Sequence, residues 1–167
     1  KSSSTFTFVV LPRPIINVGA LPSVICSGGS SQLLANGANS YTWSPVTAVG
    51  NTVLVTPTVT TIYTVTGTGF NGCTNTASVT VTVNPTPTLI TVPSATAICV
   101  GNTVTLTSTG AFNYLYNPGA QSGSVIVVSP TTTTTYTITG LNAFGCSASN
   151  TLAININPNP SITVVSS

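Results

Sequence analysis

Along this chain, apolar and polar positions alternate with a period of two, in short runs closed by Gly, Pro, Asn or Ser. Period-two alternation places successive side chains on opposite faces of a strand, so each run predicts a half-buried β-strand. Ile15–Ala20 and Ser23–Cys26 come first, and the next strand puts Ser31, Leu33 and Ala35 on one face. Ser40–Ser44 turns Tyr41 and Trp43 inward, and Thr52–Thr56 does the same with Val53 and Val55. Beyond Pro57, Thr61–Thr66 points Tyr63 and Val65 inward, and after Asn71-Gly72 the last strand carries Val79, Val81 and Val83. About seven short strands with turn signals every 8–12 residues predict an all-β fold, an immunoglobulin-like β-sandwich. In that fold Trp43 takes the place of the core aromatic, and Tyr63 and Tyr136 fit the tyrosine that closes a corner by bonding upstream backbone.

The pattern occurs twice. Cys26 to Cys99 is a step of 73 residues, and so is Cys73 to Cys146. Pro12, Pro85 and Pro158 keep the step, and Gly28/Gly101, Leu33/Leu106, Gly37/Gly110, Tyr41/Tyr114, Tyr63/Tyr136 and Gly72/Gly145 match without a gap. The predicted organisation is repeat 1 over residues 12–84 and repeat 2 over 85–157, joined by short, stiff Pro-rich linkers. Expected core residues are Leu33, Tyr41, Trp43, Val53, Val55, Tyr63, Val65, Val79 and Val81 in the first copy. In the second they are Leu106, Tyr114, Tyr116, Tyr136, Ile138 and Ile154.

Extending the step backwards lays residues 1–11 on the last strand of a repeat, so that Phe6, Phe8 and Val10 fall where Val79, Val81 and Val83 fall. Residues 1–11 therefore read as an extra N-terminal β-strand with no domain in front of it, and 158–167 as the start of a following repeat or a C-terminal strand. Two explanations compete. The chain is a slice of a longer array, or the N-terminal strand is donated to a sandwich of another subunit, with main-chain bonds giving affinity and alternate side chains filling a groove.

Composition narrows the chemistry. The 167 residues include no Asp, Glu or His, and the only charged side chains are Lys1 and Arg13. General acid–base catalysis and activation of a Ser or Cys nucleophile both need groups this chain lacks. Hard cations lack carboxylates, and the Cys spacing is not that of a zinc site. The expectation is a protein without catalytic residues, metal or other cofactor. A net charge of +2 is too small for nucleic-acid binding, and no apolar run is long enough to insert in a membrane. Thr occurs 33 times and Ser 20 times, and a surface with so little charge is poorly protected against association.

The combination I-C-x-G, Y-x-W/Y-x-P, T-T-x-Y-T-V/I-T-G and G-C, present in both copies over residues 12–157, resembles the Ig-like (PKD-like, or CHU-C-associated) tandem repeats of secreted Bacteroidota surface adhesin and fibre proteins. The resemblance implies export, an extracellular or cell-surface location, and a role as stalk, adhesin array or fibre building block. The leading expectation is a structural subunit of a fibre or stalk, a homopolymer assembled head to tail. The alternatives are an adhesin or carbohydrate-binding repeat that takes glycans as partners, and a spacer in a larger secreted protein. Export places the cysteines in an oxidising setting. Within-repeat pairing gives Cys26–Cys73 and Cys99–Cys146. That is the simple reading; if the standard topology holds strictly, the two cysteines of a repeat lie at opposite ends and Cys26–Cys146 becomes the second arrangement, with free or intersubunit thiols the third. The resemblance also implies covalent O-glycans, with Thr52, Thr76, Thr103 and Thr151 as candidate sites, although each follows Asn where the family's motif has Asp. Phe70, Phe112 and Phe144 fall in loops, where packing between domains is expected.

Overall fold

The structure, a computed structural model, describes residues 7 and 9–160. The chain divides into two compact units, Lys1–Pro85 and Thr86–Ser167. All the regular elements among the described residues are β-strands.

The first unit holds β1 (Asn17–Leu21), β2 (Val24–Cys26), β3 (Ser31–Asn36), β4 (Ser40–Ser44), β5 (Ala48–Val49), β6 (Thr52–Val55), β7 (Thr61–Thr68) and β8 (Thr74–Asn84). They form a three-stranded sheet in the order β1-β3-β6 and a five-stranded sheet in the order β2-β8-β7-β4-β5. The opening segment is thus split between the sheets. β1 pairs antiparallel with β3, and β2 crosses to pair parallel with β8. The second unit repeats the plan with β9 (Ile90–Pro93), β10 (Ala97–Cys99), β11 (Val104–Thr109), β12 (Asn113–Asn117), β13 (Gln121–Ser122), β14 (Val125–Val128), β15 (Thr134–Leu141) and β16 (Ser147–Asn157). Its sheets run β14-β11-β9 and β10-β16-β15-β12-β13, again with β10 parallel to β16.

Alternation makes each core. In β3, Ser31, Leu33 and Ala35 are buried and their neighbours exposed, and β4 buries Tyr41 and Trp43 in the same way. Leu33, Ala35, Tyr41 and Trp43 form one cluster with Ile25, Val53, Val55, Tyr63, Val65 and Val81, against which the half-buried Val79 and Val83 pack. The second core joins Leu106, Tyr114, Tyr116, Tyr136, Ile138 and Ile154 to Ile98, Val104, Ile126 and Val128. Burial in this second core raises the pKa of the Tyr136 hydroxyl above its ordinary value. Near the end of β7, Gly67 faces inward where a Cβ would press on Ile16 and Ala38, and Gly140 meets Leu89 and Ala111 in the same way. Only the missing side chain lets Ile16, just ahead of β1, and the turn before β4 close over the strand.

The corner expected of Tyr63 and Tyr136 is made elsewhere. Both rings are buried, but the hydroxyls that bond upstream backbone belong to Tyr41 and Tyr114. Tyr41 Oη donates to the Ala38 carbonyl at 2.9 Å and accepts from the Ala38 amide at 2.7 Å. Tyr114 does the same with Ala111, at 2.9 Å in both bonds. The cause is local. Each tyrosine follows a glycine turn by four residues, so its ring folds back over that turn and satisfies an amide and a carbonyl that no strand partner reaches.

The cores differ at one coupled set of positions. In the second unit Tyr116 donates to Ser108 Oγ at 2.7 Å, and Ser108 shares a 2.7 Å hydrogen bond with Thr91. In the first unit the corresponding residues are Trp43, Ala35 and Val18. There the indole Nε1 donates to the Gly50 carbonyl at 2.9 Å. A phenol needs a partner inside the core, whereas the longer indole reaches backbone at its edge, so all three positions change together.

Candidate assembly site

With no acidic or imidazole side chain in the sequence, the groups that carry chemistry are the cysteines and the chain segments around them. No group of three metal-ligating side chains occurs among the described residues, and no helix is long and apolar enough to cross a membrane.

Strand register places the cysteines. In the first unit Cys26 ends β2 directly beside Asn84, the last residue of β8. Cys73 immediately precedes Thr74, the first residue of the same strand. Eleven residues at about 3.3 Å each put these two cysteines about 35 Å apart along the strand. A disulfide needs Cα atoms within about 7 Å. The second unit is built alike, with Cys99 beside Asn157 and Cys146 just before Ser147. Register therefore rules out Cys26–Cys73 and Cys99–Cys146, and the within-repeat expectation is corrected. Cys26 and Cys146 are the disulfide-bonded cysteines. Cys73 and Cys99 carry free thiols, the first half-buried and the second exposed.

The turn that bears Cys73 and Cys146 is the same in both units. The Gly69 amide bonds the Cys73 carbonyl at 2.9 Å, and Asn142 bonds Cys146 at 3.0 Å. Gly72 and Gly145 supply φ of 78° and 79°, a left-handed conformation that glycine adopts without a Cβ penalty.

Residues 11–14 lie along this turn in the first unit. Asn71 Nδ2 donates to the Pro12 carbonyl and Asn75 Nδ2 to the Pro14 carbonyl, each at 2.9 Å. The Cys73 thiol lies 3.9 Å from the Leu11 carbonyl oxygen. Just ahead of this strap, Val9 is 78% and Val10 90% exposed, and neither has a strand partner among the described residues. Phe6 and Phe8 lie outside the described residues, as does the chain beyond residue 160.

Thr52, Thr76, Thr103 and Thr151 are all exposed. The loop aromatics Phe70, Phe112 and Phe144 are exposed by 94%, 73% and 66%. Phe112 borders an open groove with Asn113, Tyr114 and Ser122–Ser124. The exposure of these rings carried no sequence signal, because an apolar loop residue reads equally well as buried.

No family profile matches the chain, and no curated protein matches it in sequence. Solved structures do resemble it. A Ca²⁺-stabilized adhesin with which an Antarctic bacterium binds ice aligns at 14% identity and a TM-score of 0.51, over 90% of this chain and 50% of that one. Titin domains I67–I69 align at 17% identity and a TM-score of 0.40, over 87% and 66% of the two chains. The amphioxus IgVJ-C2 molecule aligns at 16% identity and a TM-score of 0.36, over 79% and 99%. This chain has no carboxylate with which to hold a calcium ion. The protein is all-β, two tandem sandwiches of immunoglobulin-like fold.

Proposed function

We propose that the chain is a structural, non-enzymatic subunit of an extracellular fibre or cell-surface stalk. It assembles head to tail by donating its N-terminal segment to a sandwich of another subunit. The observation that carries this reading is the exposure of the apolar Val9 and Val10, held just ahead of the strap at residues 11–14. An exposed apolar segment without a strand partner offers backbone and side chains that a groove in another subunit can bury. Both described units already have their own last strand, β8 and β16. The acceptor is therefore a sandwich that lacks one. A surface nearly free of charge removes the repulsion that keeps ordinary domains apart. The repeat resemblance to secreted Bacteroidota surface proteins points to the same setting.

Deleting residues 1–10 while keeping the 11–14 strap tests the reading. The expected result is loss of filaments in electron micrographs with both unfolding transitions unchanged. Filaments of normal length from the shortened chain overturn it.

A second reading is favoured by Phe112, exposed beside its groove of Asn and Ser. An aromatic face flanked by polar groups suits a sugar ring, as an adhesin or carbohydrate-binding repeat requires. Glycan binding that disappears with Phe112→Ala supports it, and an array with no binding removes it.

A further inference from the structure

Two asparagines in the sequence precede glycine, Asn36-Gly37 and Asn71-Gly72, and every other asparagine precedes a residue with a side chain. Before glycine, the next backbone nitrogen reaches the asparagine side-chain amide most easily, because no Cβ hinders it and the glycine backbone turns freely. The fold treats the two pairs differently. Asn36 ends β3, and a Cβ on Gly37 would overlap the Ile15 carbonyl, so the chain there cannot turn without displacing main chain. Around Gly72 nothing lies within 4 Å of an added Cβ, and Asn71 is exposed. This second turn has room to rearrange.

The strap holds Asn71 in place. Its Nδ2 donates to the Pro12 carbonyl at 2.9 Å and its Oδ1 accepts from the Cys73 amide at 3.1 Å. The Gly72 amide donates to the Gly69 carbonyl at 3.0 Å. Attack of Gly72 on the Asn71 side chain must break these three bonds. A second clamp, from Asn75 Nδ2 to the Pro14 carbonyl at 2.9 Å, keeps the strap down. The second unit has Phe144 and Ala148 at the positions of Asn71 and Asn75, and neither side chain can donate a hydrogen bond. The reactive pair and its restraint therefore both belong to the first unit.

We propose that Asn71 is a self-modification site whose conversion to an acidic residue releases the strap. The Gly72 amide nitrogen attacks Asn71 Cγ, and a five-membered imide ring closes. The bond from Cγ to the side-chain nitrogen breaks, and that nitrogen leaves as ammonia with the proton Gly72 has lost. Water then opens the ring at either carbonyl, giving aspartate or isoaspartate. One water is consumed, one ammonia is released, and nothing is oxidised or reduced. The product sets a carboxylate oxygen against the Pro12 carbonyl oxygen, two acceptors with no proton between them. It is also the first acidic side chain in a chain that has no Asp or Glu. The bond to Pro12 cannot re-form, so release runs one way. The site goes beyond the head-to-tail reading and does not depend on it; under that reading, the anchor of the donated segment loosens with age.

The test holds the whole chain at mildly alkaline pH, folded and in urea, and follows it by electrofocusing and peptide mass spectrometry. In urea, Asn36 and Asn71 are expected to convert at similar rates. In the folded chain, Asn71 is expected to convert at least about tenfold faster than Asn36, with an acidic shift of the protein. Asn75→Ala removes the second clamp and should speed conversion of Asn71 about fivefold, the worth of one net hydrogen bond. Asn71→Asp imitates the product. Its backbone relaxation at Val9, Val10 and Leu11 is expected to show faster motion than in the native chain, with the unfolding transition of the first unit unchanged. None of these readouts needs filaments, so they stand apart from the test of strand donation. Equal rates at Asn36 and Asn71 in the folded chain, or an Asn75→Ala chain that converts no faster, overturn the proposal. A segment as rigid in Asn71→Asp as in the native chain overturns the release.

Discussion

Replacing Gly37 or Gly110 by alanine is expected to unfold the unit that carries it. Gly37 has φ of 101° and Gly110 of 95°, and a Cβ added to either would overlap a backbone carbonyl, that of Ile15 or of Thr88. The opposing atoms are main chain and do not move as a side-chain end would. They belong to the segment leading into β1 or β9, so relieving the overlap pushes that segment off its sheet. We expect a loss of at least about 4 kcal/mol, the range reserved for backbone strain and overpacking combined. For a unit of this size each kcal/mol lowers Tm by about 4–8 °C. Gly72 is the control: its φ is 78°, but nothing lies within 4 Å of an added Cβ. Gly72→Ala is expected to cost only about 1–2 kcal/mol, the penalty of the left-handed conformation alone. Calorimetry of the three variants decides the matter. If Gly37→Ala loses no more than Gly72→Ala, the close approach is not what fixes this corner.

The second large effect lies in the coupled core positions. Trp43→Tyr is expected to cost about 2–4 kcal/mol, because it removes the indole bond to Gly50, leaves volume unfilled and buries a phenol hydroxyl against apolar groups. Adding Ala35→Ser and Val18→Thr rebuilds the hydroxyl chain seen at Tyr116, Ser108 and Thr91. Most of the loss should return, with a coupling energy of about 0.5–3 kcal/mol. In the other unit, Ser108→Ala strands the fully buried Tyr116 hydroxyl and is expected to cost about 1–3 kcal/mol. Urea unfolding curves measure both. A triple variant no more stable than Trp43→Tyr would show that the three positions are not energetically coupled.

What was legible in the chain follows from where the physics is local. Alternating runs such as Ser40–Ser44 are long enough for period two to declare itself, and there the predicted and observed strands coincide. The two-residue strands β5 and β13 are too short to show a period. They exist because each pairs antiparallel with the edge of its five-stranded sheet, at β4 or β12. The tyrosine corner falls on other residues than the strand pattern predicts because burial and hydroxyl bonding separate here. Tyr63 and Tyr136 fill the core, while Tyr41 and Tyr114 lie within reach of a glycine turn. The cysteines show the same limit. Two per repeat suggests a pair within each, the standard topology speaks against it, and the parallel register of β2 on β8 decides by placing them at opposite ends of one long strand. The hydroxyl chain at Tyr116 crosses three strands, and no local pattern announces such a contact.

The central claim concerns residues 1–14, and a density map of the assembled native material tests it most directly. The account predicts that the strand bearing Phe6, Phe8 and Val10 lies paired within a sandwich of another chain, leaving the strap at Leu11–Pro14 as the crossing point. A continuous covalent path from that strand back into a preceding domain of the same chain would contradict it.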